Sequence, residues 1–222
     1  MDLEALQVSV RLALATLAVL LPLGLLAGHA LAVREFRGKA LVESLAALPL
    51  VLPPTVLGFY LLAGFGVRSP LGTAFEAVMG HSLAFSFPGL LLASVIVNVP
   101  FVLQPIQRAF ESVPRDVREA AACCGLTPLQ AFVQVEAPLA WPGILTAAVL
   151  TFAHTLGEFG VVLMVGGSIP GETRTLSIAI YDRVQAFDDR SAGIMAASLL
   201  AIAVATLTLT TMLGRRVEPD RG

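Results

Sequence analysis

Along the chain, apolar residues gather into long uncharged blocks separated by short polar stretches. The first block runs from Leu12 to Val33, and the second lies between Glu43 and Arg68. A third, between Glu76 and Arg108, is centred on Leu83 to Leu103. The fourth runs from Ala137 through Gly157 towards Gly166, and the fifth from Ser191 to Gly214. About 20 apolar residues carry a helix across a bilayer. The blocks are apolar throughout and do not alternate with polar residues, which argues against a β-barrel. An open strand is excluded because lipid cannot satisfy its free backbone groups. The pattern predicts an all-α integral membrane protein with five transmembrane helices, at about 12–33, 44–66, 83–104, 139–163 and 191–213.

Composition supports that solvent assignment. Of 222 residues, 56% are hydrophobic and 14% charged, against about 45–50% and about 25% in soluble domains. Mean hydropathy is +0.83. A net charge of −2 gives no footing for a nucleic-acid partner. The first block could be a cleaved signal peptide, since Ala30-Leu31-Ala32 looks like a cleavage site. It is long for that role, Asp2 and Glu4 offset Arg11 ahead of it, and the positive cluster follows it. It is therefore expected to stay as the first span.

Charge sets the expected orientation. Arg34, Arg37 and Lys39 follow the first span, Arg108, Arg115 and Arg118 follow the third, and Arg215, Arg216 and Arg221 follow the fifth. Arg68, Arg174, Arg183 and Arg190, with Arg11 near the N-terminus, fall on the other side. Positive residues favour the cytoplasm. The chain should thus be multi-pass in the bacterial cytoplasmic (inner) membrane, N-terminus outside and C-terminus cytoplasmic, as an odd number of spans requires.

The spans are built to do more than anchor. Pro22 sits in the first, Pro49, Pro53 and Pro54 in the second, and Pro88, Pro100 and Pro105 in or near the third. Each breaks the helical ladder and needs neighbouring groups to satisfy the freed carbonyls. Gly24 and Gly28 form a GxxxG pair suited to close packing, and Thr206, Thr208, Thr210 and Thr211 could bond across helices. Cys123 and Cys124 are adjacent and read as small buried residues. The three histidines, His29, His81 and His154, are scattered, so neither a metal site nor a catalytic constellation is expected. The sequence has no phosphate-binding Gly-x-x-x-x-Gly-Lys-Ser/Thr loop. An ion-coupled secondary transporter would usually show more spans and internal repeats.

The most informative stretch, from Gln107 to Trp141, is amphipathic and far longer than a link between two spans needs. Arg115 to Cys124 reads as a helix, with Gly125 at a left-handed C-terminal cap. Thr127 and Pro128 read as the N-cap and first turn of a second helix, which Pro138 should end before the fourth span. This predicts a helix-turn-helix knuckle at about 108–138, between spans three and four.

The knuckle resembles the EAA loop of ABC-importer permeases: Glu-Ala-Ala, three residues, Gly, nine residues, then Ile-x-Leu-Pro. Glu119, Ala120, Ala121, Gly125 and Pro138 match, Val135 replaces the isoleucine, and Ala137 replaces the leucine. The resemblance implies a coupling helix that docks on separate cytoplasmic ATPase subunits, the small alanines permitting close approach. It also implies a permease with no cofactor and no catalysis of its own, paired with a second copy and served by a periplasmic or extracellular binding protein. Three further stretches resemble the molybdate permease subfamily: Pro49 to Gly58, Leu156-Gly157-Glu158-Phe159-Gly160, and Ile169 to Thr175. The Gly-Glu-Phe-Gly run is also similar to sulfate permeases, which are typically longer. That resemblance implies molybdate as substrate, tungstate as a second one, and sulfate, thiosulfate or another oxyanion as the alternative. His154 and Glu158, four apart on one helix face, either flank the pathway or a gate or form a structural pair inside the bundle.

Overall fold

The computed structural model describes residues 2–217. Arg221 lies outside the described residues, as do the side chains of Thr210, Thr211, Arg215 and Arg216. The described residues are mostly helical: α1 Leu3–Val33, α2 Lys39–Val51, α3 Pro54–Phe65, α4 Pro70–Met79, α5 Phe87–Glu111, α6 Arg115–Cys123 and α7 Pro128–Ala131. A π-turn, Phe132–Glu136, joins α7 to α8 Ala137–Gly157, followed by α9 Gly160–Gly166, α10 Leu176–Gln185 and α11 Asp189–Val217. Among the described residues, four helical stretches are long and apolar enough to cross a membrane, and the bent α2–α3 pair makes up to five.

The bundle is organised around α5. Of its most apolar stretch, 56% is buried, against 28% for α1 and 11% for the described part of α11. Val102, Ile106 and Phe110 of α5 pack with Leu20 of α1 and with Ala140, Ile144 and Ala147 of α8. The Gly24/Gly28 pair makes the α1–α5 crossing possible. A Cβ on Gly24 would stand 2.0 Å from Val102 Cγ1, and one on Gly28 2.7 Å from Ile106 Cγ2. A second cluster, Phe65, Leu83, Ala93, Val97, Val161 and Val165, gathers α3 and α9 against the first half of α5.

Three features depart from the elements predicted, two of them breaks within spans. At Leu52 and Pro53 the backbone turns extended, with ψ 135° and 136°, and α2 and α3 meet at 110°. Two adjacent prolines remove two N–H donors and push the preceding residue out of the helical region. Each half spans about 20 Å at about 1.5 Å per residue, short of the roughly 30 Å bilayer core. The fourth block breaks as well: α8 ends at Gly157, Glu158 is extended, and α9 begins at Gly160.

The third departure is at Pro138. It does not end the knuckle's second helix, because the chain stays helical from Pro128 to Gly157. The π-turn absorbs the proline: the Ala137 N–H reaches back five residues to the Phe132 carbonyl. A turn widened by one residue makes room for the ring and leaves no donor missing where proline has none.

Gly28→Ala and Gly64→Ala gain the same helix propensity, about 1 kcal/mol, but only the first adds a methyl to a filled crossing. Nothing lies within 4 Å of a Cβ at Gly64. Gly28→Ala should therefore fall below Gly64→Ala by about 1–3 kcal/mol of stability, read as the thermal midpoint of the detergent-solubilised protein.

Candidate functional site

The knuckle is a pair of short helices closed by strong local signals. Gly125 has φ +81°. Its N–H donates to the Ala122 carbonyl and that of Leu126 to the Ala121 carbonyl, which together form the Schellman arrangement that ends helices at glycine. Thr127 then caps α7: its Oγ1 accepts from the Gln130 N–H, while Gln130 Oε1 accepts from the Thr127 N–H at 2.9 Å. Two helix ends are thus satisfied within four residues, leaving a rigid turn.

The exposed surface of the knuckle differs from expectation at two points. Glu119, Ala120 and Gly125 are exposed and Val135 is half-buried, whereas Ala121 is the one buried residue of α6. Cys123 and Cys124, expected inside, are exposed. At about 100° per residue, Cys123 stands roughly 200° around α6 from Ala121, away from the face that packs, and Cys124 lies past the last helical residue as the C-cap. Pro138 is exposed at the start of α8.

Beneath the knuckle lies a buried ionic cluster. Glu136 sits in the π-turn with 7% of its surface exposed. Its Oε2 accepts from Arg118 Nε of α6 at 2.9 Å and from His29 Nε2 of α1 at 3.1 Å. Arg118 Nη2 also donates to the Phe110 carbonyl near the end of α5. The His29 ring stands edge-on to Phe110 and Phe132, with centroids 5.0 and 4.9 Å away. One carboxylate and one guanidinium thereby join α1, α5, α6 and the π-turn.

A second polar array crosses the middle of the bundle. Thr16 Oγ1 of α1 donates to Ser94 Oγ at 2.9 Å, and Asn98 Nδ2 donates to the Ser94 carbonyl at 2.8 Å. Asn98 Oδ1 accepts from His154 Nδ1 at 3.1 Å, and His154 Nε2 stands 3.6 Å from Glu158 Oε2. Asn98 is fully buried, while the His154 side chain is 31% exposed and stacks on Phe101 at 3.9 Å. His154 and Glu158 are therefore together, but not on one helix as predicted. Glu158 lies past the end of α8, where its Oε1 accepts from the Val161 N–H and its carbonyl from Ser177 Oγ.

The protein-family comparison matches residues 21–219 to "Binding-protein-dependent transport system inner membrane component". The chain belongs to that family. It is 46% identical over 187 residues to the molybdenum transport system permease protein ModB of Azotobacter vinelandii, covering 84% of this chain and 83% of that one. It is 38% identical to the Escherichia coli K12 ModB, covering 89% and 87%. The sulfate transport system permease CysT of Salmonella typhimurium is 33% identical, covering 87% of this chain and 71% of that one. Among solved structures, a bacterial alginate ABC transporter chain has a TM-score of 0.76 at 15% identity, covering 97% and 78%. A chain of the MetNI methionine ABC transporter has a TM-score of 0.69 at 18% identity, covering 98% and 94%. The fold is that of ABC transporter permeases, and the chain is a multi-pass inner-membrane permease component, not an enzyme.

For a permease the site is mechanical, and residues that fix relative motion matter as much as any that line a path. Sequence reasoning missed Arg118 and Glu136 as a pair, and it missed Asn98 and Ser94. Asn98 carried a signal of its own, an amide in the middle of an otherwise apolar span. Asn98→Ala should cost about 1–3 kcal/mol, since it strips partners from both His154 and Ser94. Thr16→Val at the far end of the array should cost about 0.6 kcal/mol. Thermal midpoints in detergent would rank the two, and equal costs would mean that the array is not anchored at Asn98.

Proposed function

We propose that this chain is the transmembrane permease of a molybdate ABC importer, with tungstate as a second substrate. The similarity to molybdenum permeases over most of the chain carries the reading; the sulfate permease of Salmonella typhimurium is matched over a smaller share of its own length, 71%. Two copies form the conduit, because five spans enclose a path poorly. The knuckle end, rich in arginine, is cytoplasmic and the N-terminus is outside. A binding protein delivers the oxyanion to the outer loops, and two ATPase subunits take the knuckles through the exposed Glu119-Ala120 face and the Gly125 turn. The buried Ala121 supports that turn from behind, while Val135 and the exposed Pro138 shape the junction of the π-turn with α8.

The path runs along α5. His154 is where the buried polar array reaches open space, stacked on Phe101. Gln104 and Arg108 continue the Phe101 stripe at helical spacing into a cleft shared with Glu43, Gln107 and Glu111 of about 550 Å³. A carboxylate is a poor ligand for a divalent anion. Glu158 therefore works as an organiser, holding the α8–α9 break and facing His154, and the pair forms a gate at the head of the cleft. ATP binding and hydrolysis shift the pair of permeases between two discrete arrangements.

Uptake of labelled molybdate by cells relying on this permease, its binding protein and its ATPase should be blocked strongly by excess tungstate and weakly by sulfate. Equal blocking by sulfate would move the reading to a sulfate permease. Gly125→Val forces a β-branched residue into positive φ, at about 1–2 kcal/mol, and Ala120→Trp obstructs an exposed docking face. Both variants should reach the membrane at normal abundance yet fail to retain the ATPase on purification and lose uptake. Full retention with parental uptake in both would remove the knuckle from the coupling role.

A further inference from the structure

We propose that Arg118 and Glu136 are positioning residues, forming a latch that makes the knuckle move as one body with α1 and α5. The inference rests on the reading of the knuckle as the ATPase contact. The two arms of the knuckle reach the spans differently. One arm, α7, is continuous with α8 through the π-turn, so its displacement passes directly into that span. The other arm, α6, follows α5 across the Ser112–Pro114 turn and buries a single residue, Ala121. One buried residue leaves α6 with little packing of its own to fix its direction.

Arg118 removes that freedom. Its guanidinium donates backward to the Phe110 carbonyl near the end of α5 and sideways to Glu136. Both bonds use the planar fork of one residue, so α6 is held in direction as well as position. Glu136 passes the restraint to α1 through His29, whose ring is held between Phe110 and Phe132. A push on α6 therefore reaches α1 and α5 together with α8, the three helices that form the packed centre of the bundle.

A buried ion pair is weak grounds for stability, since apolar residues of similar volume often replace it without loss, whereas removing one partner strands a charge. That asymmetry separates a latch from a prop. The double variant Arg118→Met/Glu136→Leu, purified with its ATPase and reconstituted with the binding protein in vesicles, should keep the parental thermal midpoint and retain the ATPase. Hydrolysis should continue while molybdate uptake falls, raising ATP consumed per anion imported at least tenfold. A parental ratio in that variant overturns the latch. Loss of ATPase retention also overturns it, because the pair would then shape the docking face. Should the double variant fail to fold, Glu136→Gln, which keeps the shape and weakens the link, decides in its place. It should raise the ratio at least threefold, and an unchanged ratio would again overturn the latch. Failure of the docking reading looks different, since Gly125→Val and Ala120→Trp would then keep both ATPase and uptake.

Discussion

A carboxylate taken out of water must find charged or hydrogen-bonding partners, and at Glu136 that requirement organises an entire end of the molecule. The side chain is 7% exposed and is reached by groups from α1 and α6. Leaving a buried charge unpaired costs several kcal/mol, so any arrangement that separates α1 from the knuckle is disfavoured. Hydrophobic packing cannot impose this in a membrane, where lipid tails are as apolar as leucine. Apolar contacts such as those of Leu20 in the cluster with Val102, Ile106 and Phe110 hold helices together but carry no direction. The directional polar bonds fix which neighbours move with which.

The breaks in the helices follow from the same need to satisfy polar groups where water is scarce. A proline in a span frees a carbonyl, and two sites in this chain answer it differently. At Pro53–Pro54 the helix gives way and turns through 110°, while at Pro138 a π-turn keeps the helix unbroken. The difference lies in the sequence around each. Two consecutive prolines remove two adjacent donors and constrain the residue before them, which one widened turn cannot absorb. A single proline can be absorbed, and the π-turn it uses also brings Glu136 towards Arg118 and His29. A feature expected to stop a helix thus places the group that ties that helix to its neighbours.

The sequence made the broad architecture legible because bilayer thickness imposes long apolar blocks that need no tertiary context to recognise. Knuckle geometry was legible for a similar reason: Gly125, Thr127 and Pro128 are local signals, each acting within a few residues. What remained hidden depended on pairing across distance. Arg118 read as one of several positive charges near a span, and Glu136 filled the variable position of the motif. Their meeting needs the π-turn, which no residue announces. His29 and Glu136 are 107 positions apart. The cysteines and Ala121 were misjudged because small residues carry no periodic signal strong enough to tell the inner face of a short surface helix from its outer face.

Two polar assemblies therefore occupy different depths of one bundle, and both hang on α5. The Glu136 cluster reaches it at Phe110, through the backbone carbonyl and the aromatic ring. The array ending at His154 reaches it at Ser94, Asn98 and Phe101. Ser94 and Phe110 are sixteen residues apart, about 24 Å along a helix at about 1.5 Å per residue. Between them lie Pro100 and Pro105, so the ladder joining the two assemblies is weakened at two points. A continuous helix would transmit any tilt at one end rigidly to the other. A helix softened at Pro100 and Pro105 can bend between them, letting motion at the knuckle end change the angle at His154 without breaking either polar assembly. The buried bonds define what stays together, and the prolines define where the body between them yields.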